Sequence, residues 1–187
     1  MSRWKPDAEG RLIKAAITLF DTQGYDATTV AEITAAAGLT KRTFFRYFAD
    51  KREVLFSGAH ELQDRWLGGI EAAPAGASPM SAVSAGLDEV IELFADRHPF
   101  ARMRSRIIAA NPELQERELI KLQSLASAIT AALVQRGQPV NAATLAAQSG
   151  VTVFHVAFAR WVDQDDPAAF RRLTDESLQE LRSVVAA

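Results

Sequence analysis

Residues 31–56 read AEITAAAGLTKRTFFRYFADKREVLF: a small apolar pattern, a glycine, then cations interleaved with aromatic rings. Val30, Ile33 and Ala37 recur at helical spacing, and Gly38 ends the run. Thr29 stands just before it with Glu32 three residues on, the spacing of a capping box. Thr40 then caps a second, very short helix that reaches Phe48. Gly38 takes the left-handed backbone that a tight turn needs, and Ala35, Ala36 and Ala37 let the two helices approach closely. These are the proportions of a helix-turn-helix, whose second helix offers its first residues to base edges in a major groove. Those residues are Thr40, Lys41, Arg42 and Thr43. Arg42 suits guanine O6 and N7 bidentately, Lys41 reaches the same acceptors, and the Thr43 methyl suits thymine. Phe44 and Phe48, four apart, are expected in the core beneath.

Charge supports a polyanion partner only when counted locally. The 187 residues carry a net charge of −2. Residues 1–55 hold nine Lys and Arg against seven Asp and Glu, whereas 56–187 hold twelve against sixteen. Within 39–52 five cations face one acid, Asp50. The positive charge is a patch on an acidic protein. Asp50, with Glu53 three residues on, is expected to cap a fourth helix running to about Glu71. Lys51 and Arg52 would then occupy its first two positions, where a phosphate rather than the helix dipole explains cations. Thr29 offers a hydroxyl for a second phosphate.

Elsewhere the period is 3.6 throughout, with no sustained alternation. A first helix is expected over about 7–23, with Leu12, Ala16, Leu19 and Phe20 inward and Gly24 as its stop. The segment AAPAGASPMS at 72–81 is a loop. Further helices are expected over about 80–96, from His98-Pro99, from Asn111-Pro112 to near Gly137, from Asn141 to about Val162, and from Asp166-Pro167 to the C-terminus. The fold class is all-α, nine helices in two domains, 1–55 and 56–187. Cysteine is absent, which excludes disulfides and thiolate sites and suits a reducing compartment. The N-terminal residues lack a signal peptide's apolar run, and no stretch reads as a membrane span. The expected location is cytoplasmic, with no membrane partner.

The stretch TTVAEITAAAGLTKRTFFRYFADKREVL, with LFDTQGYDATTV before it, resembles the DNA-binding signature of the TetR family of bacterial one-component transcription regulators. The resemblance covers about residues 10–56. It implies base reading by Lys41, Arg42, Thr43 and Arg46, and backbone contacts from Thr29, Tyr47 and Lys51. Phe45 departs from the pattern, standing where many relatives place a tyrosine, and Arg42 replaces a frequent small residue. Residues 57–187 fit the family's ligand-binding and dimerisation domain. SRIIAANPELQERELIKLQSLASAIT and VFHVAFARWVD are similar to a C-terminal type common in actinobacterial members. The family implies a homodimer in which the last two helices pair with their symmetry mates. Leu145, Thr152, His155, Ala159 and Val162 follow a 3-4 spacing that fits this, and Ala142, Ala146 and Ser149 permit close approach.

The bulky residues Trp66, Phe94, Met103, Phe154, Phe158 and Trp161 are either core or the lining of an apolar pocket, giving a small hydrophobic effector. If Arg102 or Arg106 points inward, an acidic effector is favoured, because a buried cation needs a partner. Three histidines without clustered acids give no metal site. No cofactor fingerprint or nucleophile-base pair stands out, so an enzyme is not expected. The expectation is a ligand-responsive DNA-binding regulator, a repressor released from a pseudo-palindromic double-stranded operator. Its rival is an all-α carrier of apolar ligands without operator binding.

Overall fold

The computed structural model describes residues 7–186; residues 1–6 and Ala187 lie outside it, as does the extreme end of the last expected helix. Among the described residues there are nine α-helices and no strand: α1 Ala8–Gln23, α2 Val30–Ala37, α3 Lys41–Tyr47, α4 Ala59–Ala72, α5 Pro79–Leu93, α6 His98–Ala109, α7 Pro112–Gln135, α8 Val140–Val162 and α9 Ala169–Val185. The all-α expectation holds.

The chain divides into two compact units. Among the described residues the first, the head, runs to residue 58 and includes 103–116; the second is 59–102 with the chain from 117 onward. A cut at residue 55 therefore misses a segment of the head. Ile107, Ile108 and Leu114 are buried in the same cluster as Leu12, Ile17, Phe20, Ile33, Phe44 and Val54, and Met103 packs against it. Met103 is thus a residue of the head, not of the second unit. In α1 the inward positions are Leu12, Ala16, Ile17 and Phe20, with Leu19 only partly covered. Asp7 caps this helix by accepting a hydrogen bond from the Gly10 amide at 2.9 Å.

The second unit is organised around Trp66, wholly buried on α4. Its indole Nε1 donates to the Val83 carbonyl at 3.0 Å, joining α4 to α5. Gly86 is required here: a Cβ at that position would collide with the Trp66 indole and carbonyl oxygen. α7 contributes Leu125, Ala126, Ile129 and Leu133 to the same core, and α8 contributes ten inward residues. By length and composition α8 could cross a membrane, the only such helix among the described residues. Its inward face, from Ala143 to Val162, is instead covered by this chain's own side chains. Val162 is among them, at 4 % exposure, so it is not part of the outward stripe in which its spacing placed it.

Candidate nucleic-acid interface

The local chemistry of residues 24–56 builds the site. At the start of α2 the capping box is complete. The Thr29 amide and hydroxyl both donate to Glu32 Oε2 at 2.8 Å, and the Glu32 amide donates back to Thr29 Oγ1 at 3.3 Å. Those bonds to Thr29 hold the Glu32 carboxyl below its ordinary value. α2 ends in paired bonds that close a left-handed stop: the Gly38 amide donates to the Ala35 carbonyl and the Leu39 amide to Thr34, with Gly38 at φ 61°. Arg11 of α1 adds a guanidinium bond to the Ala37 carbonyl. Cations at a helix C-terminus complement the dipole, so Arg11 fixes the turn from outside it. No spacing within residues 31–56 marks Arg11 for that duty.

α3 follows at once. The Thr43 amide donates to the Thr40 hydroxyl at 3.1 Å, and the two hydroxyls are 3.0 Å apart. Phe44 is fully buried and Phe48 nearly so, their ring centroids 5.4 Å apart, as the spacing predicts. With that face anchored, Lys41 and Arg42 extend from the exposed first turn. Phe45 lies three residues beyond Arg42 and four beyond Lys41, hence on their face, and is 56 % exposed. It is an exposed apolar element in a cationic surface. Arg46 and Tyr47 are exposed and held to each other: Arg46 Nη2 donates to the Tyr47 hydroxyl at 3.1 Å, and its guanidinium lies 4.9 Å from the ring.

The expected fourth helix departs from the prediction. Residues 51 and 52 form a turn, Glu53–Phe56 is a single 3-10 turn, and α4 begins only at Ala59. Asp50 does act as a cap, accepting the Arg52 amide at 2.8 Å and the Glu53 amide at 3.2 Å. Its other oxygen binds the Arg52 guanidinium at 2.7 Å, which holds the Asp50 carboxyl below its usual range. Val54, Leu55 and Phe56 are all buried, so the 3-10 turn is short because each of its apolar residues faces the head core. Arg104 accounts for the rest: its Nε donates to the Leu55 carbonyl at 2.6 Å and its guanidinium lies over Phe56. Lys51 is directed inward, onto carbonyls of the α1–α2 loop.

The rings expected around an effector come together, while Met103, Arg102 and Arg106 lie apart from them. Phe94, Phe158 and Trp161 do come together, joined by Phe154 and Phe170, with centroids 4.7–6.2 Å apart. Trp66 meets this group edge-on through Phe154 at 5.7 Å. His98, buried, has its Nε2 3.1 Å from the Trp161 carbonyl oxygen and its ring 4.7 Å from the indole. Neither expected arginine turns inward to these rings. Arg102 pairs with exposed Asp165 at 3.3 Å, and Arg106, in the head, pairs with Asp21 at 3.5 Å with 65 % of its side chain exposed. On α8, Leu145, Thr152, His155 and Ala159 all face outward, Leu145 at 70 % exposure. No cluster of His, Cys, Asp and Glu suitable for a metal ion occurs among the described residues.

This geometry has close counterparts. Residues 77–186 match the MftR C-terminal domain, and residues 12–57 match the bacterial regulatory proteins of the tetR family. The HTH-type transcriptional regulator TcmR of Streptomyces glaucescens is 40 % identical over 81 residues, 43 % of this chain and 36 % of that protein. The chain spans about a third to a half of the length of the curated relatives it matches. Two solved structures share the fold at low identity. A TetR-family transcriptional regulator from Syntrophomonas wolfei is 15 % identical with a TM-score of 0.67, covering 97 % of this chain and 96 % of that one. FadR of Bacillus subtilis, solved in complex with stearoyl-CoA, is 19 % identical with a TM-score of 0.59, covering 90 % and 96 %. The two matches together cover most of the chain, which belongs to the TetR family of bacterial regulatory proteins.

Proposed function

We propose that the protein is a cytoplasmic, homodimeric, ligand-responsive transcription regulator that represses by holding a pseudo-palindromic operator. The observation that carries this reading is the first turn of α3. A buried Phe44 and a closed turn at Gly38 fix that helix, while Lys41 and Arg42 stand exposed on it with Phe45, also exposed, on the same face. Arg42 reads guanine, Lys41 adds a second major-groove donor, Thr43 and Arg46 complete the base-reading face, and Thr29 and Tyr47 hold the backbone, with Thr40 at the helix start.

The homodimer reading rests on charge. Between residues 122 and 159 the sequence holds a single Asp, Glu, Lys or Arg, which is Arg136. Arg136 donates to the carbonyls of Glu71, Ala73 and Pro74 within its own unit. The outward stripe of α8 is therefore free of like charges that would meet across a two-fold axis. A small hydrophobic effector suits the ring-filled interior of the second unit, where Phe94 and Phe158 remain partly exposed. Effector binding shifts the population towards a dimer that fits the operator poorly.

Selection of bound duplexes from a random pool tests the reading. The expected product is a pseudo-palindrome with half-sites about one helical turn, or a multiple, apart. Enrichment of one asymmetric site by a monomer, or no enrichment at all, overturns it.

A further inference from the structure

We infer that Lys51 is a positioning residue, which sets the start of α2 from inside the head rather than holding a DNA phosphate. Its ammonium has three hydrogens and three acceptors: the carbonyls of Tyr25 at 2.7 Å, Thr28 at 3.0 Å and Asp26 at 3.2 Å. An ammonium has no further donor to give. The same nitrogen lies 4.3 Å from the centroid of the Tyr25 ring, so the remaining face of the charge is met by an aromatic surface.

Everything around this nitrogen is fixed. Tyr25 is 3 % exposed, with Phe20 edge-on at 5.1 Å. The loop is bonded to itself as well. The buried Thr28 donates its hydroxyl to the Gly24 carbonyl at 2.7 Å and its amide to the Tyr25 carbonyl at 3.3 Å. On the other side, Asp50 ties the Arg52 and Glu53 amides and so holds the turn that carries Lys51. The three carbonyls belong to the residues just before Thr29. Drawing them to one inward point leaves Thr29 extended, at φ −108° and ψ 156°, with its side chain free to close the capping box. Lys51 thereby sets the entry angle of α2, and α2 carries the turn on which α3 is seated.

This inference rests on the operator-binding reading, yet its first test does not require DNA. In the free wild-type protein, the Lys51 ammonium hydrogens should exchange slowly with water and appear as a separate NMR signal. Rapid exchange, indistinguishable from exposed Lys41, overturns the proposal whatever the protein binds. With the selected duplex added, the signal should stay within its free-protein position, and a large displacement on binding likewise overturns it.

The second test is the salt dependence of duplex binding by Lys51→Met, which keeps the apolar stem and removes the charge. The expected result is at least a tenfold weaker affinity at every salt concentration with an unchanged slope. A phosphate contact would instead flatten the slope by about one unit per head. Hydrogen exchange on the same variant should quicken at residues 24–34 before it does in α1. Crossing it with Thr29→Ala should give a non-additive loss, because both act on one helix start. Additive losses with a flattened slope assign Lys51 to phosphate and end the proposal.

Discussion

The head and the larger unit use charge in opposite ways. In the head, nearly every cation has an identifiable and different duty. Arg11 closes a helix end, Lys51 gathers a loop, Arg52 pairs with Asp50, Arg104 binds a carbonyl, and Lys41 and Arg42 face solvent on the reading helix. In the larger unit, α8 and most of α7 carry almost no charge, and specificity of packing comes from rings and glycines. One unit presents cations to solvent on α3; the other is packed from apolar side chains and leaves an uncharged outward stripe on α8.

The largest effects should come from separating the two cores. Phe44→Ala and Trp66→Ala each remove a fully buried ring, at about 3–5 kcal/mol. Because the two side chains belong to different clusters, the losses should appear in different places. Phe44→Ala should abolish duplex binding and speed amide exchange in α1 to α3 and in residues 103–116. Trp66→Ala should speed exchange in α4, α5 and α8 instead. If both variants loosen the same amides, the division into two cores is wrong.

Residues 103–116 show why the head was only partly readable beforehand. Its capping box, turn glycine and apolar spacing lie within thirty contiguous residues, so local rules suffice for α1 to α3. The contribution of Ile107 and Ile108 from the end of α6 and of Leu114 from the start of α7 is a tertiary choice that has no local signature. The same applies to the fourth helix. Asp50 does accept the Arg52 and Glu53 amides, but three consecutive buried residues, Val54 to Phe56, occupy a 3-10 turn before α4 begins. Val162 fitted an outward 3-4 stripe, yet ten of the 23 residues of α8 are buried, and Val162 is one of them. Spacing identifies a stripe but not which neighbour will cover it.

A smaller effect should come from adding charge where the larger unit lacks it. Thr152→Glu sits on the exposed stripe of α8, and a two-fold contact would bring each new carboxylate close to its copy. Like charges across an interface cost several kcal/mol, so dimer dissociation should rise about a hundredfold. Sedimentation at several concentrations measures this. An unaltered dimer places the interface elsewhere.

Within the head, Arg42→Ala should weaken binding by roughly 1–3 kcal/mol for each bidentate contact it removes. The loss should fall at one base position per half-site, with other positions unaffected. Repeating the selection with the variant reads this directly. A uniform loss over all positions would make Arg42 a backbone contact, and the reading surface would then centre on Lys41 and Phe45.

The smallest effects should be those of Arg102→Ala and Arg106→Ala. Both side chains were attractive partners for an acidic effector because they stand four apart on one helix. They belong to different units and pair with different exposed acids, Asp165 and Asp21. Exposed pairs of this kind contribute about 0–1 kcal/mol, since solvent screens them and ordering two long side chains opposes them. Each variant should therefore melt within a degree or two of the wild type. An effector found by its release of the selected duplex should act on both variants at wild-type concentrations. Loss of response to an acidic effector in Arg102→Ala alone, with response to its neutral analogue retained, would mean that Arg102 leaves Asp165 for the ligand. The larger unit would then use one charge for recognition after all, and its contrast with the head would narrow to the α7–α8 surface.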